Sequence, residues 1–351
     1  MAVDLANETS RRGHRVTMCV TRSTVSLATE LAPEIQSITL GRRWRYDVLP
    51  VARLVRYIRT TAVDLVHVHM RSSLSLVLPL RATRLIPTPL VFHDHYGSIE
   101  EDTSVPRWFR IGARMIDAYV GVSDSLGMWA RTAGVPRERI HVIENAVDLA
   151  RLSDGPPSSI VHELGLAQDT QLVLLVATVR KDKAIETAIE AVARSRYAQR
   201  LHLVIAGAIA EPDYAKSLRD NAVKLGLGDH VTFLGARRDV PALLRACDLA
   251  VLSSNTESGP LVLIEYLSAG KLIVSTRVGD VGRRLANAGL PGFVPPRNPD
   301  AMARAIDEAL ELDDAGRRRR ESVGRALLDR FDIRDAFPRW AEVYESVRMP
   351  R

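Results

Sequence analysis

For most of its length the chain alternates between short, uninterrupted apolar runs and longer segments of helical period. The runs fall at 14–21, 35–40, 65–69, 90–92, 118–122 and 140–143, and again at 172–177, 201–206, 230–233, 249–252, 272–276 and 292–294. A strand with one wet face alternates polar and apolar residues. A continuous apolar run is buried on both faces, and in a βα alternation this means a parallel sheet covered by helices. Helices are expected at 2–12, 48–60, 72–84, 106–117 and 124–133, then at 184–195, 213–226, 239–246, 260–269, 299–311, 315–329 and 334–348. Between the two series lies a turn-rich, apolar-poor stretch, Ser153-Asp154-Gly155-Pro156-Pro157-Ser158-Ser159, which reads as a linker. With 351 residues there is length for two cores. The expected fold class is therefore α/β, with two doubly wound, Rossmann-like domains whose strand ends face a ligand cleft. The chain opens on a helix closed by Gly13, with no strand or Gly-rich turn before it, so the first strand of the N-terminal domain is expected to be missing from the sheet.

Within the second series, residues 253–265 combine features that bind anions. Strand 249–252 runs into Ser253-Ser254-Asn255-Thr256-Glu257-Ser258-Gly259-Pro260-Leu261-Val262, and a helix follows. Gly259 is expected as N-cap and Pro260 as first helical residue, where a missing N–H costs nothing. The amides of Leu261 and Val262 are then unpaired and aligned with the positive end of the helix dipole. Glu257 and Glu265 flank this helix end with seven residues between them. A diphosphate on the amides with an acid on each side suits a nucleotide-sugar. An acid near a helix N-terminus is also favourable for the dipole alone, so the stretch needs the rest of the chain to give it meaning.

The remaining features narrow the function class. At 46% apolar and 26% charged residues, composition is that of an ordinary globular protein, and no run is long enough to span a membrane. The N-terminal residues carry acids and lack an apolar centre, which argues against an export signal. Cys19 and Cys247 read as buried free thiols in a reducing compartment, and the expected location is cytoplasmic. Net charge is +6. From Arg11 to Arg59 there are ten Arg against three acids, including Arg42, Arg43, Arg45 and the helical triplet Arg53, Arg56, Arg59. This face is either plain solvated surface, a site for an anionic acceptor, or a peripheral contact with anionic membrane at its inner face. Nucleic acid is not expected, because no aromatic interleaving accompanies the charge. His67/His69 and His93/His95 share strand faces, as metal ligands would. No Cys lies near them and only Asp94 is close, so no metal site is expected. No Asp-x-Asp and no Gly-x-Ser-x-Gly occur.

The ordered landmarks carry a resemblance. Glu257-Ser258-Gly259-Pro260-Leu261-Val262-Leu263-Ile264-Glu265 with Ser268-Ala269-Gly270 and Val278-Gly279 resembles the E-x7-E segment of family-4 retaining glycosyltransferases of the GT-B fold. Gly13-His14, 64–69, His93-Asp94, Val122-Ser123, 145–148, Phe233-Leu234-Gly235 and Ala246-Cys247-Asp248 follow the family's order, and the resemblance runs from about residue 2 to 311. It implies an acceptor-binding domain at 1–152, a linker at 153–160, a nucleotide-sugar domain at 161–333 and a helix at 334–351 returning to the first domain. By the same resemblance Glu257 takes the donor sugar's hydroxyls and Glu265 the ribose hydroxyls. The loop Ser258 to Val262 holds diphosphate and sugar, and Lys183 neutralises the leaving diphosphate. Gly207 and Gly235 join the donor site, and His93 faces sugar and acceptor. The family's arginine five residues before the phosphate lysine is replaced by Thr178, and Arg180 is the expected substitute. Ala146, Tyr266, Leu272 and Asp280 also depart from the common residues. The implied reaction moves a hexose from a nucleoside diphosphate sugar to a hydroxyl of a glycan, lipid-linked or small-molecule acceptor, with retention, without metal and without cofactor. The alternatives are an inactive relative that binds nucleotide or a partner, and an epimerase or phosphorylase on the same fold.

Overall fold

The computed structural model describes residues 1–22, 30–44, 47–153 and 155–348. It divides into two compact units, Met1–Asp148 with Asp332–Arg351, and Leu149–Phe331. The chain thus leaves the first unit after Asp148, not after residue 152. The short helix Leu149–Ser153, most of which was expected to end the first domain ahead of a linker at 153–160, packs on the helix Leu261–Ser268 of the second unit. The C-terminal helix Ile333–Val347 lies in the first unit.

In the first unit the strands are β1 (Thr17–Val20), β2 (Gln36–Thr39), β3 (Val66–His69), β4 (Leu90–Asp94), β5 (Ala118–Gly121) and β6 (Ile140–Val142). They form two separate parallel sheets, β1-β2 and β3-β4-β5-β6. A doubly wound order would place one more strand between β1 and β3. One face of the larger sheet packs Phe92 and Tyr119 against Leu74, Phe109, Leu126 and Trp129. On the other face Val91, Val120 and Ile143 meet Leu5 of the first helix and Phe337, Trp340 and Val343 of the last. β4 and β5 are buried at every position, including the polar His93 and Asp94 that end β4.

The second unit holds β7 (Gln171–Val176), β8 (Leu201–Ala206), β9 (Val231–Gly235), β10 (Leu249–Leu252), β11 (Leu272–Thr276) and β12 (Phe293–Val294). They form one parallel sheet in the order β12-β11-β10-β7-β8-β9. The first strand of the unit is therefore central, and the chain works outward to one edge before crossing to the other. The switch falls between β7 and β10, and in such sheets the crevice beyond the carboxyl ends of these two strands takes the ligand. The helices Ile185–Arg194 and Pro299–Leu310 bring Ile189, Val192, Met302 and Ile306 onto Val173, Leu203 and Val274.

Three expectations shift. The helix expected over 106–117 ends at Gly112 and tightens into a 3-10 turn at 113–115, which delivers Ile116 to the core. The helix Gly279–Asn287 was not expected at all. Cys247 is buried, but Cys19 on the small β1-β2 sheet is only partly so; both are free thiols.

Candidate active site

The two loops that flank the switch point carry the candidate residues. After β7 the chain passes through Thr178 to Arg180 and makes a single 3-10 turn, Lys181–Lys183. Ala184 then caps the next helix in the left-handed region at φ 44°, ψ 48°. A side chain there is strained, and the strain is held by burial of Ala184 at the helix start. After β10 the chain runs through Ser253 to Pro260 into the helix Leu261–Ser268.

Hydrogen bonds lock these two loops together. The Ser253 hydroxyl donates to the Lys183 carbonyl at 2.9 Å, and the Asn255 amide donates to the Asp182 carbonyl at 2.9 Å. Lys183 Nζ lies 2.5 Å from Glu257 Oε1, which also accepts from the Ser254 hydroxyl at 2.8 Å. Neither member of the ion pair is far into solvent, at 16% and 11% side-chain exposure. A charge-assisted bond in such a half-dry place is strong and directional. It fixes an ammonium and a carboxylate side by side at the mouth of the sheet.

The helix start differs by one residue from the sequence reading. Pro260, not Gly259, occupies the N-cap, with ψ 106°, and Leu261 is the first helical residue. No side chain caps this end. The Leu263 amide already donates to the Pro260 carbonyl at 3.2 Å, while those of Leu261 and Val262 have no intrahelical acceptor by position, so an anion is their natural partner. Ser258, Gly259 and Pro260 are buried in the approach to it. Glu265, half-buried, lies in the same helix.

Arg180 is exposed and tied to Asp182 at 2.7 Å. Asp182 also stands 3.9 Å from Lys183, so the 180–183 turn groups two cations around one acid. Gly207 has a purely steric reason for being glycine. A Cβ there would stand 1.9 Å from the Ala177 carbonyl oxygen, and its amide donates to the Gly235 carbonyl at 2.8 Å. Gly235 adopts φ 70°, with open space around it.

Sequence reasoning missed two supports of this site. Gly279, at φ 66°, opens the unexpected helix, and a Cβ on it would meet Pro260 Cδ at 2.9 Å and the Ser258 carbonyl oxygen at 3.1 Å. The next amide, Asp280, donates to that same Ser258 carbonyl at 3.0 Å. The Val278-Gly279 pair ahead of Val281 and Leu285 was the available signal. Tyr266, noted only as a departure, is buried. Its hydroxyl accepts from the Val176 amide at 2.9 Å and donates to the Val251 carbonyl at 3.1 Å, bridging the ends of β7 and β10. Burial pushes its phenol well above the ordinary range, so it stays a donor.

In the first unit, His93 does not face open space. It is 0% exposed and lies among His67, His69 and His95, with its ring 4.6 Å from that of Trp340. Burial in this cluster lowers its pKa far below that of a free imidazole, with neighbouring histidines adding to the effect. Beside it Asp94 accepts from Arg71 at 2.9 Å, Tyr119 at 2.9 Å and the Tyr96 amide at 3.1 Å. Arg71 is itself stacked between Tyr96 and Trp129, at 4.0 and 3.8 Å. Arg43 is exposed and Arg42 half-buried, whereas Arg45 lies outside the described residues. Arg59 donates to the carbonyls of Arg84 and Leu85, so one member of the arginine triplet has a structural task.

Two family models match this chain: glycosyltransferase family 4 over residues 1–151, and glycosyl transferases group 1 over residues 159–326. The chain belongs to the family-4 glycosyltransferases of the GT-B fold. This family-4 chain is 31% identical over 185 residues to the D-inositol 3-phosphate glycosyltransferase of Mycobacteroides abscessus, a match covering 51% of the chain and 40% of that protein. It thus matches less than half the length of that relative. The N-acetyl-alpha-D-glucosaminyl L-malate synthase of Bacillus anthracis is 21% identical over 307 residues, covering 86% of the chain and 80% of the relative. Among solved structures, Anabaena HepE in complex with UDP-glucose superposes with a TM-score of 0.82 at 23% identity, covering 98% of this chain and 94% of that one. A glycosyltransferase from Rickettsia africae gives 0.79 at 19%, covering 98% and 93%. These likenesses place both units of the family-4 chain in the GT-B fold.

Proposed function

We infer that this chain transfers a hexose from a nucleoside diphosphate sugar to a hydroxyl group, with retention and with no metal at the diphosphate. The observation that carries the reading is the Lys183–Glu257 pair at 2.5 Å, set beside uncapped helix amides at the switch point of the second sheet. Departure of a nucleoside diphosphate builds negative charge on its terminal phosphate. Lys183 and the amides of Leu261 and Val262 supply fixed positive charge there, as a metal would elsewhere. Glu257, next to that cation, is suited to hold sugar hydroxyls, and Glu265, farther into the same helix, the ribose. Arg180 adds a second cation at the rim.

Uridine diphosphate sugars head the candidate donors, since the Anabaena neighbour carries UDP-glucose. For the acceptor, the names of two relatives contain inositol 3-phosphate and malate, both anions. Arg42 and Arg43 in the first unit fit an anionic acceptor by charge. No helix among the described residues is long and apolar enough to cross a membrane.

A panel of nucleoside diphosphate sugars with product analysis tests the reading. Transfer that forms a glycoside with the donor's anomeric configuration is expected. Glu257→Ala should lower the transfer rate by about 100- to 1,000-fold while nucleoside diphosphate binding stays measurable. Full turnover by that variant would remove Glu257 from the chemistry. Isomerised donor as the sole product would make the chain an epimerase instead. Charge removal at Arg42 and Arg43 should raise the acceptor KM, and an unchanged KM would exclude the anionic acceptor.

A further inference from the structure

The turn that presents Lys183 ends on a strained residue. Ala184 stands at φ 44°, ψ 48°, between the 3-10 turn Lys181–Lys183 and the helix Ile185–Arg194. This conformation suits glycine, and another residue keeps it only where its surroundings enforce it. Ala184 is also the N-cap of the helix, and a methyl group cannot cap. The first helical amide, that of Ile185, therefore has no partner within its own helix.

Its partner is a phenol from the helix Pro212–Lys224. The Ile185 amide donates to the Tyr214 hydroxyl at 2.9 Å, and that hydroxyl donates in turn to the Glu186 carboxylate. The bond to Glu186 commits the phenolic proton and turns a lone pair of the oxygen to the amide. Tyr214 is buried in the same core as Ile185, so the contact is shielded from water. Burial and the Glu186 carboxylate raise the phenol well above its ordinary range, so it stays protonated. The segment just ahead of Tyr214 grips the start of the same turn. The Val179 amide donates to the Ala208 carbonyl at 2.9 Å, and the Glu211 amide donates to the Val179 carbonyl at 3.2 Å. The Lys181 amide donates to the Glu211 carboxylate at 3.4 Å. Residues 208–214 thus hold the turn at both ends, and Lys183 lies between the two holds. Ser253 and Asn255 fix two of its carbonyls, whereas Tyr214 fixes where the helix after it begins.

We propose that Tyr214 is a positioning residue for transfer: by holding the Ile185 amide it keeps the Ala184 turn in its strained form, and so sets Lys183 Nζ beside Glu257 and the leaving diphosphate. The inference rests on the reading of Lys183 as the cation for that diphosphate. Charge on the diphosphate develops as the sugar departs, so a displaced ammonium is felt most in the transition state. Tyr214 acts only through Lys183.

The test is a kinetic cycle on the full chain, with a nucleoside diphosphate sugar that it turns over. Tyr214→Phe should lower kcat and kcat/KM together by about 10- to 100-fold, the scale of a misplacement of about 1 Å. In a Lys183→Ala background the same substitution should cost nothing further, whereas a tyrosine that only stabilises the unit would cost the same factor in both backgrounds. Ala184→Gly added to Tyr214→Phe should restore most of the lost kcat, because glycine takes φ 44° without strain. Should Tyr214→Phe fail to fold, the cycle is run with Glu186→Ala, which keeps the phenol and removes the acceptor that aims its hydroxyl. Unchanged kcat in Tyr214→Phe while Lys183→Ala is slow, an equal loss in both backgrounds, or no rescue by glycine would overturn the proposal and leave the role of Lys183 standing. Full turnover by Lys183→Ala would overturn both.

Discussion

Lys183 and Glu257 are 74 positions apart in sequence and 2.5 Å apart in space. The acid was legible, because Glu257 and Glu265 bracket a Gly-Pro helix start. The lysine was legible only through the order of landmarks, since nothing local separates Lys183 from Lys181. What the sequence did not reveal is that they neutralise one another, because such a contact depends on which strands become neighbours. Removing one partner leaves the other part-buried and unpaired. Lys183→Ala is therefore expected to destabilise the second unit by about 1–3 kcal/mol and to lower kcat by about 100-fold or more. A double-mutant cycle with Glu257→Ala checks it, and strict additivity would mean that the contact does no work. Gly279 belongs to the same scale. Its φ of 66° and its approach to Pro260 and Ser258 leave no room for a methyl group. Gly279→Ala should displace the 257–260 loop and weaken nucleoside diphosphate binding, which calorimetric titration would detect. The sequence marked Val278-Gly279 only as a landmark, because a glycine's positive φ and its approach to a loop about twenty residues away are set by the fold and not by its neighbours in sequence.

The elements themselves were readable where burial was extreme. β8 and β11 are buried at every position, and such strands show as predominantly apolar runs, here broken only by His202 and by Ser275-Thr276 at the end of β11. The helix Gly279–Asn287 escaped notice because it begins on glycine, carries a second glycine at 282 and contains little beyond Val281 and Leu285 to mark an apolar stripe. Tyr266 shows the limit from the other side. Its helix, Leu261–Ser268, is apolar almost all round, so periodicity says that it is buried but not what its one phenol touches. Tyr266→Phe keeps the ring and removes the bridge between the Val176 amide and the Val251 carbonyl. The orphaned amide should cost about 1–3 kcal/mol, read as a lower urea midpoint with an unchanged slope. No change in the midpoint would show that the backbone finds another partner.

At the scale of the whole molecule, the alternation of strands and helices reported two α/β units but not their exact membership. Residues Leu149–Ser153 join the second unit, and the chain returns to the first at Asp332. The return is physically motivated by the last helix, which gives Ile333, Phe337, Trp340 and Val343 to the core on β4 and β5. Composition alone could show that this helix is amphipathic, not which sheet it covers. Trp340 is 0% exposed and packs on His67 and His93, so it is the point where the C-terminal segment most depends on the N-terminal one. Trp340→Ala opens a large cavity there and should cost the first unit about 3–5 kcal/mol. The second unit contains its own sheet and core, so its stability should be untouched. In scanning calorimetry the variant should lose the early part of the unfolding endotherm to lower temperature. The transition that responds to added nucleoside diphosphate should keep its midpoint. A shift of both transitions together would show that the two units unfold as one cooperative body, and would move the energetic boundary away from the structural one at Asp148 and Asp332.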